Sequence, residues 1–233
     1  MHQRIAVVTP HHAGVPPHWL RECHASVLGQ SHPCQHVLVA DGPVPESPAI
    51  PAATRLQLPR RSNDYGDTPR AAGAEYAVTR GFDGIAFLDA DNWYAPGHVA
   101  SLLELHRTTG ATVLTSARVL HRLDGSVLGP CFEVDGERFV DTSCLLLLRA
   151  AFPLAALWGS IPERFHAIGD RIFWAAVVRS GIARAHCARP TVAYRTAFRH
   201  HYLHFGEDPP QGSKDGEEIG RSLREYLARE SAA

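Results

Sequence analysis

Residues 84–93 read Gly84-Ile85-Ala86-Phe87-Leu88-Asp89-Ala90-Asp91-Asn92-Trp93, GIAFLDADNW. An apolar run of strand length ends in two carboxylates one residue apart. The run has no polar face, which suits a strand covered on both sides in a parallel sheet. Two like charges at the rim of a core raise the free energy of the fold unless something offsets them. Side chains alternate along a strand, so Asp89 and Asp91 point to one side, roughly 7 Å apart while the backbone stays extended. A turn after Leu88 would let one carboxylate bind a hard cation while the other holds its water or a ligand hydroxyl. Mg2+ suits such a site, since it takes one or two carboxylates together with phosphate oxygens. The plain alternative is a solvated strand end with Asp91 capping the next helix. The triplet alone leaves both open; the flanking sequence weighs between them.

Upstream, residues 5–9 (IAVVT) form another β-branched run, stopped by Pro10. Pro16-Pro17 opens a helical pattern through Trp19, Leu20, Cys23, Val27 and Leu28 that Gly29 ends. Residues 36–41 (HVLVAD) read as a strand, 43–53 as a loop rich in Pro, Ser and Ala, and 54–58 as a further strand. Thr68 and Pro69 are the residue types expected at the N-cap and first position of a helix running to Gly81. Residues 95–109 place Val99, Leu102, Leu103 and Leu105 on an amphipathic helix. Strands alternating with helices predict an α/β fold with a mostly parallel central sheet flanked by helices. In such sheets ligands sit beyond the carboxyl ends of the strands. Thr9-Pro10-His11, Asp41-Gly42 and Asp89-Ala90-Asp91 are three such ends, and their convergence favours a ligand site over a polar turn.

The pattern changes after residue 111, where an antiparallel second lobe is expected. Residues 112–120 and 127–140 read as strands around an Asp124-Gly125 hairpin turn. Residues 143–149 form a buried strand, 170–179 a helix after Gly169, and 191–196 a strand. A polar stretch at 207–215 precedes an amphipathic helix at 217–229, with Ile219, Leu223, Tyr226 and Leu227 on one face. The expected organisation is one domain over 1–210, with a nucleotide-binding half (1–100) and an acceptor-side half (101–210). A linker and C-terminal helix fill 211–233.

Composition narrows the class. A chain of 233 residues, 45% of them hydrophobic, can build one core. A formal net charge of −1 gives no electrostatic reason to expect nucleic acid as a partner. No apolar run approaches the roughly 20 residues of a membrane span. The start, MHQRIAVVTPHH, lacks the apolar segment of a secretory signal. Five cysteines without a C-x-x-C pair read as reduced thiols of a cytoplasmic protein. The 15 histidines show no zinc-type spacing and read mainly as surface residues.

IAVVTPHH, HVLVADG and SNDYGDTPRAAGAEYAVTRGFDGIAFLDADNWYAPGHV, over residues 4–100, resemble the family 2 glycosyltransferases of the GT-A fold in order and spacing. GDRIFW around Asp170 resembles the family's later acidic motif. The resemblance implies inverting, non-processive, metal-assisted transfer of a sugar from a nucleotide-diphosphate donor, with a UDP-sugar expected. The acceptor would be a hydroxyl of a saccharide, a lipid-linked or a small-molecule substrate. It implies that Thr9, Asp41 and Arg70 line the base and ribose, with Asp41 accepting from the base's imide N–H. Asp89 would face the ribose or metal-bound water, Asp91 would ligate Mn2+ or Mg2+ on the diphosphate, and Asp170 would be the general base. His201, in the run HHYLH where i, i+4 imidazoles share a helical face, is carried as a third metal ligand.

The chemistry agrees with these assignments. A dication neutralises a leaving diphosphate, and a carboxylate takes the acceptor's proton. For Asp170 an N-cap role stands beside the base, with Glu163 as its nearest competitor. Asp141-Thr142 reads as a turn within reach of sugar or acceptor, and Trp158 as core or as a stacking platform. Ala40 stands where the family often has an acidic residue, and Ala71 where it often has Asn. These departures motivate the alternative of a catalytically inactive GT-A-like nucleotide-binding or scaffold protein. The absent Q-x-x-R-W signature favours single transfer over polymerisation. A phosphatase with a D-x-D nucleophile fits less well, because its aspartates normally follow the first strand, which here ends in Thr9-Pro10.

Overall fold

Apolar, β-branched runs make the centre of the sheet. The structure, a computed structural model, describes residues 3–44 and 50–230. Strands β1 (Ile5–His11), β2 (Cys34–Ala40), β3 (Thr54–Gln57) and β4 (Gly84–Phe87) pair in parallel, in the order β3-β2-β1-β4. Consecutive residues Ile5, Ala6, Val7 and Val8 are all buried, so both faces are covered. Helix α1 (Pro17–Leu28) packs on the face of Thr9, whose hydroxyl lies 3.7 Å from Cys23 Sγ. Helix α2 (Asp67–Thr79) packs on the opposite face, that of Val8. Gly73 makes this approach possible: a Cβ there would lie 2.3 Å from Val8 Cγ1.

The other strands are β5 (Trp93–Tyr94), β6 (Val113–His121), β7 (Val127–Pro130), β8 (Leu145–Leu148) and β9 (Arg184–Arg195). They continue the same sheet as β4-β8-β6-β9-β5, with β7 on β6. Antiparallel β8 and β6 join the second lobe to the parallel core. Helix α3 (His98–Thr109) follows β5; α4 (Phe152–Ala155), α5 (Gly169–Arg179), α6 (Arg199–His204) and α7 (Glu217–Glu230) complete the fold. Among the described residues, no helix is long and apolar enough to cross a membrane. All five cysteines are free.

Four local expectations change. Pro10 does not stop β1, which runs on to His11 beside Ala40. The ladder with β4 ends at Val8–Phe87, so the missing N–H of Pro10 leaves no bond unmade. Thr68 is not the cap of α2; Asp64 Oδ2 accepts from the Thr68 amide at 2.8 Å instead, and the N-cap position is Gly66 at φ 90°. The hairpin at Asp124-Gly125 forms, but β7 stops at Pro130 rather than at 140. There Asp135 Oδ1 accepts from the amides of Glu137, Arg138 and Phe139 and curls the chain. β9 begins well before 191. Within the expected 43–53 loop, residues 45–49 lie outside the described residues.

The stretch 207–215 is tied down at its end. Lys214 donates its amide to Ala197 O and accepts from the Arg199 amide, each at 2.8 Å. The chain thereby returns to the carboxyl end of β9 before α7.

Candidate active site

The carboxyl ends of β1, β2 and β4 open on a cleft of two chambers. The first, of 540 Å³, is lined by Pro10, His12, Trp19, Asp41 and Asn63 among others. The second, of 890 Å³, is lined by Arg118, Glu133, Asp141, His166 and Asp170. Tyr65, Arg70, Asp89, Asp91 and Lys214 line both.

The dividing wall is built from the turn that ends β4. The Asn92 amide donates to Asp89 O at 3.0 Å, so the chain turns directly after Leu88. The turn is held by two residues, Ser143 and Arg195. The Asp89 amide and Asn92 Nδ2 donate to Ser143 Oγ at 3.3 and 3.1 Å. Arg195 Nη1 donates to Asp91 O at 2.6 Å, and its amide donates to Asn92 Oδ1 at 2.9 Å. Thus the carboxylates are free to face the cleft while their backbone is fixed.

Those two carboxylates differ. Asp89 Oδ1 takes Arg70 Nη2 at 2.5 Å. No neighbouring side chain among the described residues donates to Asp91. Burial, with Asp89 beside it, lifts the Asp91 carboxyl from 3.8 to about 7, against the opposing pull of Lys214. A carboxylate to which no neighbouring side chain donates, next to a second, partly used one, is an oxygen donor set suited to Mg2+ or Mn2+.

Asp41 lies in the first chamber. Its Oδ1 accepts from the Ser62 amide at 2.8 Å, which orients the carboxylate. Thr9 does not line the cleft: it is fully buried, and its Oγ1 sits 2.8 Å from His36 Nε2. Arg70 is 6% exposed; it lines both chambers and also clamps two aspartates. Besides Asp89, its Nη1 donates to Tyr65 O at 2.9 Å and meets Asp67 Oδ1 at 3.4 Å. Its guanidinium stacks over Trp158, which is core, packed on Phe173 at 4.4 Å.

The second chamber carries a buried charge network. Arg118 Nη1 bonds Asp141 Oδ2 at 2.6 Å, and its Nη2 bonds Glu133 Oε2 at 3.0 Å. Asp141 Oδ1 caps the turn before β8 through the Ser143 amide at 2.9 Å. Glu133 also meets His200 Nε2 at 3.1 Å and His201 Nε2 at 2.9 Å. Burial alone would raise the Glu133 carboxyl, but the two imidazoles and Arg118 hold it well below the usual carboxylate range. The expectation of His201 as a third ligand beside Asp91 does not match this geometry. Both its ring nitrogens are engaged, the other with Thr196 Oγ1 at 2.6 Å. Glu133, His200 and His201 bring ligand atoms within 4.8 Å of one another. Arg118 already neutralises that carboxylate, so a cation there would meet a competing charge.

Asp170 stands in the first turn of α5, where its Oδ1 accepts the Arg171 amide at 2.8 Å. Burial, with Asp141 nearby, raises its carboxyl to about 6, against Arg171. That outweighs the lowering expected from a helix N-terminus. Glu163, its competitor, is exposed and outside the lining. Asp67, buried and raised to about 6, holds His166 Nδ1 at 2.8 Å.

Sequence reasoning missed Arg118, Glu133, Asp67, His166 and Lys214. Only Arg118 left a trace, as a charge inside an apolar strand. Asp67 and His166 are 99 residues apart, with no local pattern linking them.

The family described as glycosyl transferase family 2 matches residues 6–138 of the chain. No curated protein matches it. Among solved structures, S. aureus TarS 1–349 in complex with UDP is similar at TM-score 0.60 and 12% identity, over 87% of this chain and 63% of that one. The complex of TarS 1–349 with UDP-GlcNAc gives 0.59 and 11%, over 83% and 59%. S. aureus TarS in a longer form gives 0.57 and 13%, over 97% and 43%. The chain therefore spans less than two thirds of the length of these structures, and at such identities they show a shared fold. That family match spans more than half of the chain and includes the strands whose ends form this cleft, so the chain belongs to glycosyl transferase family 2.

Proposed function

We propose that the protein is an inverting, non-processive glycosyltransferase that uses a UDP-sugar. The observation that carries this reading is the Asp91 carboxylate, to which no neighbouring side chain donates among the described residues, lining both chambers. A donor needs its nucleotide on one side of such a wall and its sugar facing the other. Asp41 in the first chamber, oriented by the Ser62 amide, would accept from the uracil imide. TarS in complex with UDP and with UDP-GlcNAc supports a uridine donor on the same fold. Residues 1–100 would bind nucleotide and 101–210 acceptor, with 212–216 lining the second chamber.

Asp91 and Asp89 would hold Mn2+ or Mg2+, which when bound supplies charge neutralisation for the departing diphosphate. The chain's own residues do the rest. Arg70 holds Asp89 in place, and Arg195 with Ser143 holds the turn. The acceptor hydroxyl, in the second chamber, attacks the anomeric carbon on the face opposite the diphosphate. The new C–O bond forms as the old one breaks, its electron pair leaving on the diphosphate oxygen. The hydroxyl proton passes to Asp170, whose burial-raised carboxyl suits a base near neutral pH. One displacement inverts the configuration. The acceptor is a saccharide, lipid-linked or small-molecule hydroxyl, and the free thiols suit the cytoplasm.

Calorimetry with UDP, with and without Mn2+, followed by a transfer and donor-hydrolysis assay, tests this. Metal-dependent UDP binding with turnover is expected. Binding without any turnover would favour a nucleotide-binding scaffold; no binding would overturn the donor assignment.

A further inference from the structure

The chain has one lysine among its 23 Lys and Arg residues. That residue, Lys214, lines both chambers. Arg70 is the other cation on the shared wall, and Asp89 and Asp67 already occupy it. Arg118 and Arg195 are likewise engaged, with Asp141 and Glu22. The Lys214 side chain is exposed, and among the described residues no carboxylate lies within 4.0 Å of its ammonium, although its charge acts on Asp91 across the wall. Its backbone is nevertheless fixed, bridged in parallel to Phe198 and bonded on both sides to Ala197 and Arg199. The ammonium rests 5.4 Å from the Phe198 ring centroid. An uncommitted cation on a fixed backbone, at the junction of two chambers, is organised for an anion that spans them.

We infer that Lys214 binds the diphosphate of the donor and neutralises the charge it gains on leaving. The inference rests on the nucleotide-diphosphate reading above. When the glycosidic C–O bond breaks, its electron pair adds a full negative charge to the diphosphate. A dication held by Asp91 and Asp89 would be partly neutralised by those carboxylates, and Arg70 is engaged with Asp89. Lysine is a compact point charge with three rotatable donors, so it can follow a phosphate that moves as the bond lengthens. The segment after β9, which looked like a linker, therefore supplies a group to the reaction. Lys214 acts alongside the Asp89–Asp91 pair and replaces neither.

Amine chemistry reads this residue directly. Reductive methylation of the full chain, followed by peptide mass spectrometry, reports Lys214 with the α-amino group as internal reference. With UDP and Mn2+ near saturation, labelling of Lys214 is expected to slow about tenfold, following occupancy, with the α-amino rate unchanged. Uridine, which lacks the diphosphate, leaves Lys214 reactive. By calorimetry, Lys214→Met weakens UDP about tenfold and leaves uridine affinity unchanged, while Lys214→Arg retains most UDP affinity. Full Lys214 labelling while calorimetry shows UDP bound would overturn the inference. So would equal weakening of UDP and uridine by Lys214→Met, which marks a structural role only. If UDP does not bind the wild-type chain at all, the donor reading falls first and the lysine role falls with it.

Discussion

Asp91→Asn should stabilise the metal-free protein above neutral pH while removing its response to Mn2+. Burial and the neighbouring Asp89 raise the Asp91 carboxyl from 3.8 to about 7. Between those values the folded protein binds more protons than the unfolded chain, so stability falls as pH rises through the window. The penalty is fully present above about pH 7 and absent below about pH 4. Three pKa units correspond to roughly 4 kcal/mol. The Asp91 side chain is only half-buried, at the cleft wall, so about 2 kcal/mol is the working figure. For a chain this long, that is about 6 °C in Tm. Thermal unfolding in EDTA at about pH 8 should place the variant above wild type by that margin. The gap should narrow as pH falls through about 7 to about 4, where the wild-type carboxyl also becomes neutral. Saturating Mn2+ should raise the wild-type Tm and leave the variant unmoved. A folded variant no more stable than wild type in EDTA, or one that keeps the Mn2+ shift, would refute the reasoning.

Asp170→Asn should keep UDP binding and lose transfer, and the wild-type rate should rise with pH through about 6, the burial-raised value of Asp170; transfer at the wild-type rate by the variant would remove the base. Arg118→Met leaves Asp141 and Glu133 without their shared cation, and urea unfolding should report a loss of about 3–5 kcal/mol. Gly73→Ala puts a Cβ 2.3 Å from Val8 Cγ1, so α2 must shift. Overpacking of about 1–3 kcal/mol should outweigh the roughly 1 kcal/mol gained in helix propensity, again by urea unfolding. Unchanged stability there would mean that α2 does not pack on β1 as described.

The fold was legible wherever the signal was local. Residues 5–9, 36–41 and 85–89 declared themselves as buried strands by composition, and Asp124-Gly125 as a hairpin turn by residue type. Failures came where a tertiary partner decided. Pro10 reads as a breaker until the β4 ladder is seen to end at Val8. Residues 131–140 read as strand until Asp135 gathers three amides. Within the cleft, the positions of Asp41, Asp89, Asp91 and Asp170 were legible because strand ends and a helix start must meet there. Thr9 was placed at the correct strand tip, but alternation turns its hydroxyl toward Cys23 and His36. His201 was singled out by its neighbours in HHYLH, yet Glu133 and Thr196 set its direction.

The amino-acid order by itself determined the alternation of strands and helices and the carboxylates at the tip of β4, because periodicity and turn chemistry act over a few residues. Only the tertiary structure decided which charges are spent and which remain available. Arg195 meets Glu22 across 173 residues, and Asp67 meets His166 across 99. Such pairings arise from the packing of the whole chain, and they leave Asp91 and Lys214 uncommitted on the wall between the chambers.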